Sequence, residues 1–423
     1  MFTFLNLQSL LGLAAIIGLC WAVSENRKRF PWRLAIGAVL LQAALVLATF
    51  AIPGSQVVLD AINNSVKGLE HATNEGTKFV FGYLAGGEQP YPVENQGALF
   101  TFAFNVLPLV IVISALSALL WHWKILKWLT LGFGFLFQRT MGLGGASALA
   151  VAANIFLGMV ETPLVIRAYL DKLSRSEIFL MMVVGLGTVA GSTMVAYATI
   201  LSPVLTNAAG HVLVASIVSA PAAVLLARII IPEKPGEGGE SADYNSALKY
   251  DSAIDAIVKG TADGLMVVLN ISAVLITFVA LVALVNVILG NFWIGGAELS
   301  VERILGVLFA PIAWLTGVEW AEASKAGWLL GVKLTLTEFV AFIELGKIAP
   351  EAMSERTRML MTYALCGFAN IGSVGITVTG LSVLLPERRQ EVLGLVWKAL
   401  LGGFLATMMT ACIVGALPAA IFA

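Results

Sequence analysis

The chain has 423 residues, 59% of them hydrophobic and 12% charged, with a mean hydropathy of +0.90, which lies far on the apolar side of soluble usage and identifies a membrane protein. A net charge of −1 and a pI near 6.3 leave no basic field for nucleic acid, so a nucleic-acid partner is excluded. Cys20, Cys366 and Cys412 lie far apart in apolar runs, His71, His122 and His211 are equally scattered, and the sequence lacks HExxH, CxxC, GxSxG and Walker A patterns. Neither a disulfide framework nor metal-dependent, hydrolytic or ATP-driven chemistry is indicated.

The first apolar run is followed, not preceded, by its basic residues Arg27, Lys28, Arg29 and Arg33. That is the reverse of a signal peptide and predicts a retained first span with its N-terminus outside. Runs of about 20 apolar residues, enough to cross a bilayer as helices, occur near 4–23, 34–52, 100–122, 177–206, 209–231, 262–290, 356–385 and 393–421. With these eight spans the loops 24–33, 123–142, 171–176, 232–256 and 386–392 fall inside and both termini outside. The positive-inside rule agrees except at Arg356 and Arg358.

Between these spans, residues 57–84 carry apolar positions at helical spacing with polar ones between, the pattern of a helix lying in the membrane interface. Residues 143–170 and 318–348 are apolar but interrupted by Gly, Pro, Thr and Glu. They read as two re-entrant hairpins, tolerated where protein or a wet cavity satisfies the backbone. Each precedes a glycine-interrupted span: GMVETPLVIRAYL leads to GLGTVAGS, and LTLTEFVAFIELGKI leads to GFANIGS. Glu161 precedes Thr188 by 27 positions and Glu338 precedes Asn370 by 32.

The resulting expectation is an all-α polytopic membrane protein with eight transmembrane helices, two opposed re-entrant hairpins, an interfacial helix and an inverted repeat. Its predicted divisions are N-terminal helices 1–98, a first repeat 99–231, a cytoplasmic linker 232–256 and a second repeat 257–423. Inverted repeats with paired broken segments point to a secondary transporter with its site near the midplane.

Carboxylates at membrane depth need a partner or a role. Glu161 has a structural reading, a hydrogen-bonded carboxylate with Arg167 as counter-ion, but its match to Glu338 in the second copy favours substrate binding. Ionised carboxylates accept hydrogen bonds and donate none, which suits a neutral, hydroxyl-rich ligand such as a ribose. Pro163 breaks the helical ladder and frees carbonyls that a desolvated cation can use. Asn154 and Thr188 supply candidate side-chain oxygens, their structural alternatives being a hairpin cap and a back-bond to the same helix. Asn370 and Ser373 lie where Gly367, Gly372 and Gly375 predict unwinding, and an amide there is costly if unpaired. A membrane-embedded enzyme using the two glutamates as acid and base, a carrier of another polar solute, and a pore are the rival readings. No nucleophile-base pair supports the first, and paired broken helices favour alternating access over the last.

NIFLGMVETPLVIRAYL, GLGTVAGS, TEFVAFIEL and GFANIGSVGI together resemble the concentrative nucleoside transporters, over the chain from about residue 30 to its end. The resemblance implies an integral protein of the bacterial cytoplasmic membrane, surrounded by membrane lipid and assembled as a homotrimer. It implies nucleoside import with Na+, or H+ in one branch, by an elevator-type shift of the hairpin-bearing domain, with no organic cofactor. It further implies that Glu161, Glu338, Asn370 and Ser373 are the polar substrate contacts and that Phe368 is an apolar wall beside sugar and base. Glu338, Asn370 and Ser373 would hold the ribose hydroxyls and the first hairpin would face the base. For Na+, Asn154 and Thr188 match side-chain ligands, while Leu157, Thr188 and Val189 match backbone carbonyl donors. H+-coupled relatives lose the asparagine, so Asn154 favours Na+. The family's usual GQTE is here GMVE, with Met159 and Val160 replacing two hydrogen-bonding groups, which predicts base selectivity set more by shape and shifted towards purines or broadened.

Overall fold

The computed structural model describes residues 3–52, 54–90, 92, 101–159, 161–234 and 249–422; Val160 and most of the expected linker 232–256 lie outside them. Helices α1 (Phe4–Ala22) and α2 (Trp32–Phe50) match the first two predicted spans. The amphipathic helix α3 (Ser55–Phe81) follows the predicted interfacial stretch and is flanked by Gly54 and Gly82, both at positive φ. A short α4 (Phe102–Asn105) leads into α5 (Leu107–His122), with Pro108 in the first turn of the latter, where its missing N–H costs least.

The two interrupted stretches follow, each preceded by one further helix. Before the first, α6 (Ile125–Met141) turns at Gly142, whose φ is +65°, into α7 (Gly145–Asn154). Residues 125–141 read as loop because Lys127, Arg139 and two glycines dilute their hydropathy. Within 143–170, α7 ends at Asn154, the chain turns at Gly158, and Pro163 lies in the single-turn α8 (Thr162–Val165) with Glu161 as its N-cap. Before the second, α13 (Val301–Leu315) meets α14 (Trp320–Thr335) at a bend of 114°. That bend is held by α1: Ser9 Oγ donates to the Thr316 carbonyl at 3.0 Å and Gln8 Nε2 to the Val318 carbonyl at 2.9 Å. Within 318–348, α14 ends at Thr335 and Glu338 opens α15 (Glu338–Lys347), with Thr337 as its N-cap, so the glutamate stands at the turn between the two helices.

Each hairpin is followed by a broken helix. The predicted span 177–206 is α9 (Arg175–Gly187) and α10 (Gly191–Leu201), separated at Thr188–Ala190. The predicted span 356–385 is not one helix but α16 (Glu355–Leu365) and α17 (Ile371–Leu384). Long helices close each half: α11 (Ala208–Ile230) after the first break and α18 (Arg389–Ala416) after the second. Between the halves runs α12 (Ala253–Leu289), nine residues longer at its start than the predicted 262–290. The order of long helix, intermediate helix, interrupted helix pair, broken helix and long helix therefore occurs twice.

Among the described residues seven helices are long and apolar enough to cross a membrane, or eight if the bent pair α13–α14 counts as one. The core lies around α9, α11 and α18: 94% of the most apolar stretch of α18 is buried, and none of that of α12. Helix α12 touches the body along Gly260 and Gly264, where an added Cβ would come within 2.8 Å of the α5 backbone at Ala115 and Ile111. Two glycines four apart let the helix backbones approach closely.

Candidate substrate and cation site

The two helix breaks meet. Thr188 leaves α9 in an extended conformation, φ −120° and ψ 176°, and its carbonyl accepts from the Phe368 N–H in the second break at 3.1 Å. Gly367 allows this approach, since a Cβ there would lie 3.0 Å from the Gly187 carbonyl oxygen and 2.5 Å from Thr407 Cγ2. Backbone groups freed by interrupting both helices are thereby concentrated in one place.

On the second-break side, Glu338 is buried at 5% exposure and takes two hydrogen bonds, from Tyr197 Oη to Oε1 at 2.9 Å and from Asn370 Nδ2 to Oε2 at 2.8 Å. Asn370 is also the N-cap of α17, its Oδ1 accepting from the Ser373 N–H at 2.7 Å. One amide therefore fixes both the carboxylate and the start of the helix. Each carboxylate oxygen retains acceptor capacity for a hydroxyl donor. Phe368 is half-buried beside this group. Tyr197 was not found in the sequence; a buried tyrosine in an apolar helix requires a partner for its hydroxyl, but only the fold supplies Glu338. Its ring is fixed by stacking on Phe342 at 4.3 Å.

On the first-break side, Asn154 ends α7 and is 1% exposed. Its Nδ2 back-bonds to the Ala150 carbonyl at 3.2 Å while its Oδ1 has no hydrogen-bond partner. Thr188 Oγ1 back-bonds to the Val184 carbonyl at 2.9 Å and lies 3.5 Å from the Asn154 carbonyl oxygen. Leu157 and Val189 are buried in the same region, and the Val189 carbonyl accepts from Ser216 Oγ at 3.3 Å. An orphaned buried amide oxygen beside hydroxyl and carbonyl oxygens fits a desolvated Na+, whose preferred donors are neutral oxygens.

The link between α7 and α8 turns at Gly158, φ +88°, where a Cβ would lie 2.8 Å from Ala190 Cβ and 3.3 Å from Glu161 Oε2. Met159 faces α17, its Sδ 3.6 Å from Thr377 Oγ1. Glu161 lines a cavity of about 50 Å³ with Ser114, Ser117, Phe156, Ser192 and Asp263. The fold thus joins Glu338, Asn370 and the Ser373 backbone into one bonded group. Arg167 is exposed, and among the described residues it makes no ion pair with Glu161, so the expected counter-ion role falls.

Comparison with known proteins matches three family profiles: "Na+ dependent nucleoside transporter N-terminus" over residues 11–84, "Nucleoside recognition" over 103–204, and "Na+ dependent nucleoside transporter C-terminus" over 211–415. The nucleoside permease NupC of Helicobacter pylori is 35% identical over 97% of this chain and 98% of its own length. The sodium/nucleoside cotransporter 1 of Mus musculus is 31% identical over 97% of this chain and 64% of its own length. The solved structure of CNTnw in an inward-facing substrate-bound state superposes with a TM-score of 0.88 at 35% identity, covering 98% of both chains.

Proposed function

Because this chain belongs to the concentrative nucleoside transporter family, a family of carriers and not of enzymes, we propose that it imports nucleosides by symport with Na+ through elevator-type alternating access. The observation that carries the reading is the junction of the two breaks: Glu338 with acceptor capacity to spare on one side and the unpartnered Asn154 Oδ1 on the other. Glu338, Asn370 and Ser373 receive the ribose hydroxyls, Phe368 flanks the sugar and base, and Met159 with Val160 and Glu161 faces the base. Na+ is held by Asn154 and Thr188 with the carbonyls of Leu157, Thr188 and Val189. It supplies positive charge and ties the link after α7 to the first break. The cation and the nucleoside then share a backbone, since Thr188 bonds to Phe368, which supports coupling between them.

The same reading makes the two halves an inverted repeat and the protein a homotrimer of the bacterial cytoplasmic membrane with both termini outside. The GMVE link gives base selectivity through shape, shifted towards purines or broadened. Uptake of radiolabelled uridine and adenosine into liposomes of the purified protein tests this, under an inward Na+ gradient, with K+ in its place, and under an inward proton gradient. Saturable, Na+-requiring uptake is expected. Uptake driven by protons alone would remove the Na+ site, and no uptake of either nucleoside would move the assignment to another polar solute. Restoring Met159→Gln with Val160→Thr is expected to change the uridine-to-adenosine ratio, and an unchanged ratio would refute the selectivity argument.

A further inference from the structure

Lys333 brings a charged side chain to the second break, where the matching position of the first holds a neutral one. It lies in the last turn of α14 and is fully buried. Its Nζ donates to the Ala364 carbonyl at 2.8 Å, just before the break between α16 and α17, and to Thr407 Oγ1 at 2.6 Å. The Phe404 ring lies 5.4 Å from Nζ, a distance at which its face attracts a cation. Thr407 in turn donates to the Phe404 carbonyl at 2.9 Å, so its hydroxyl presents an acceptor to the lysine. A carbonyl, a hydroxyl and an aromatic face around one nitrogen are the surroundings of an ammonium, and the C-terminal end of a helix favours positive charge.

The position has a match in the other half. Asn154 ends α7, the first helix of the first interrupted stretch, and Lys333 lies in the last turn of α14, the first helix of the second, each facing the break in the broken helix that follows. Asn154 brings an orphaned acceptor to its break, whereas Lys333 brings donors carrying a charge. The carboxylates differ in the same sense. Glu338 lies five residues after Lys333 and acts on it electrostatically, while Glu161 forms no ion pair with a lysine or arginine among the described residues.

We propose that Lys333 is a built-in cation: its ammonium takes, at the second break, the place that a cation from solution takes at the first, so one cation and not two enters with each nucleoside. The inference rests on the reading of the first break as the cation site. Lys333 is a positioning residue, holding the Ala364 carbonyl and thereby the segment that carries Phe368 and Asn370.

The test is nucleoside binding to the purified full chain, titrated with Na+ at constant ionic strength, for the wild type, Lys333→Met and Lys333→Ala. The wild type is expected to show a Hill slope of about 1 in Na+. Lys333→Met keeps the length and loses the charge, and should weaken nucleoside binding at saturating Na+ by about tenfold or more. Lys333→Ala leaves two vacated oxygens, and its slope should rise towards about 2, with high Na+ restoring affinity. A wild-type slope of about 2, or wild-type affinity in Lys333→Met, would overturn the proposal. The wild-type slope needs no variant and decides the matter if the variants do not fold. Nucleoside binding indifferent to Na+ in the wild type would instead remove the Na+ reading of the first break, and the Lys333→Met affinity would then decide alone.

Discussion

Glu338 is held by one donor from each half of the chain, Tyr197 on α10 and Asn370 at the second break. Hydrogen bonds to a charged group contribute about 1.5–3 kcal/mol each. Glu338→Gln is therefore expected to lower nucleoside affinity roughly ten- to hundredfold, measured by calorimetric titration, whereas Tyr197→Phe should cost about tenfold or less, since it leaves the carboxylate in place. Asn154→Ala addresses the cation: Na+ at about 100 times its Kd should stabilise the wild type by about 2.7 kcal/mol, and a thermal-unfolding series should show that increment lost in the variant. Glu338, Asn370 and Asn154 were legible in the sequence because a polar group in an apolar run demands an explanation. Tyr197 was not, because its role comes from a partner 141 positions away. Lys333 escaped notice because it stands near Glu338 in a polar-interrupted stretch, where one more charge draws no attention.

At the scale of elements, the breaks were visible as GLGTVAGS and GFANIG, since glycine clusters inside apolar spans weaken the helix. The strongest breakers in the sequence, Pro163 and the residues around Glu338, mark the turns inside the two interrupted stretches, between α7 and α8 and between α14 and α15. Hydropathy alone hid the helices that precede these stretches: α6 carries Lys127 and Arg139, and α13 carries Glu302, Arg303 and Pro311. The contact between the breaks has a direct test. Gly367→Ala would place a methyl 2.5 Å from Thr407 Cγ2 and 3.0 Å from the Gly187 carbonyl oxygen. The expected result is a folded protein destabilised by about 1–3 kcal/mol with nucleoside uptake lost more severely than stability. Wild-type uptake in this variant would mean that the two breaks need not touch.

At the scale of the whole molecule, the loop after α1 is tied to the rest by Glu25, which accepts from Arg175 at 2.5 Å and from Lys398 at 2.8 Å and donates its N–H to the Ile230 carbonyl at 2.9 Å. Arg175 first, then Lys398, lowers the Glu25 carboxyl to about 2 from an ordinary 4.5. A depressed carboxyl contributes stability that is present above its unfolded value and lost as the pH falls through the folded one. Acidification from about 4.5 to 2 should therefore release this tie, and Glu25→Gln should flatten that part of the stability–pH curve. The effect should be below about 1 kcal/mol per pair, because the groups are largely open to screening.

The central claim is that the cation and the nucleoside bind at one junction built from both breaks. Calorimetric titration of uridine and adenosine into the purified protein, with Na+ and with K+ in its place, tests it most directly when repeated in Asn154→Ala. Nucleoside binding that needs Na+ in the wild type, and in the variant loses that dependence together with affinity, is the predicted result. Binding equally tight in Na+ and K+, or a variant that keeps the full Na+ response, would contradict it.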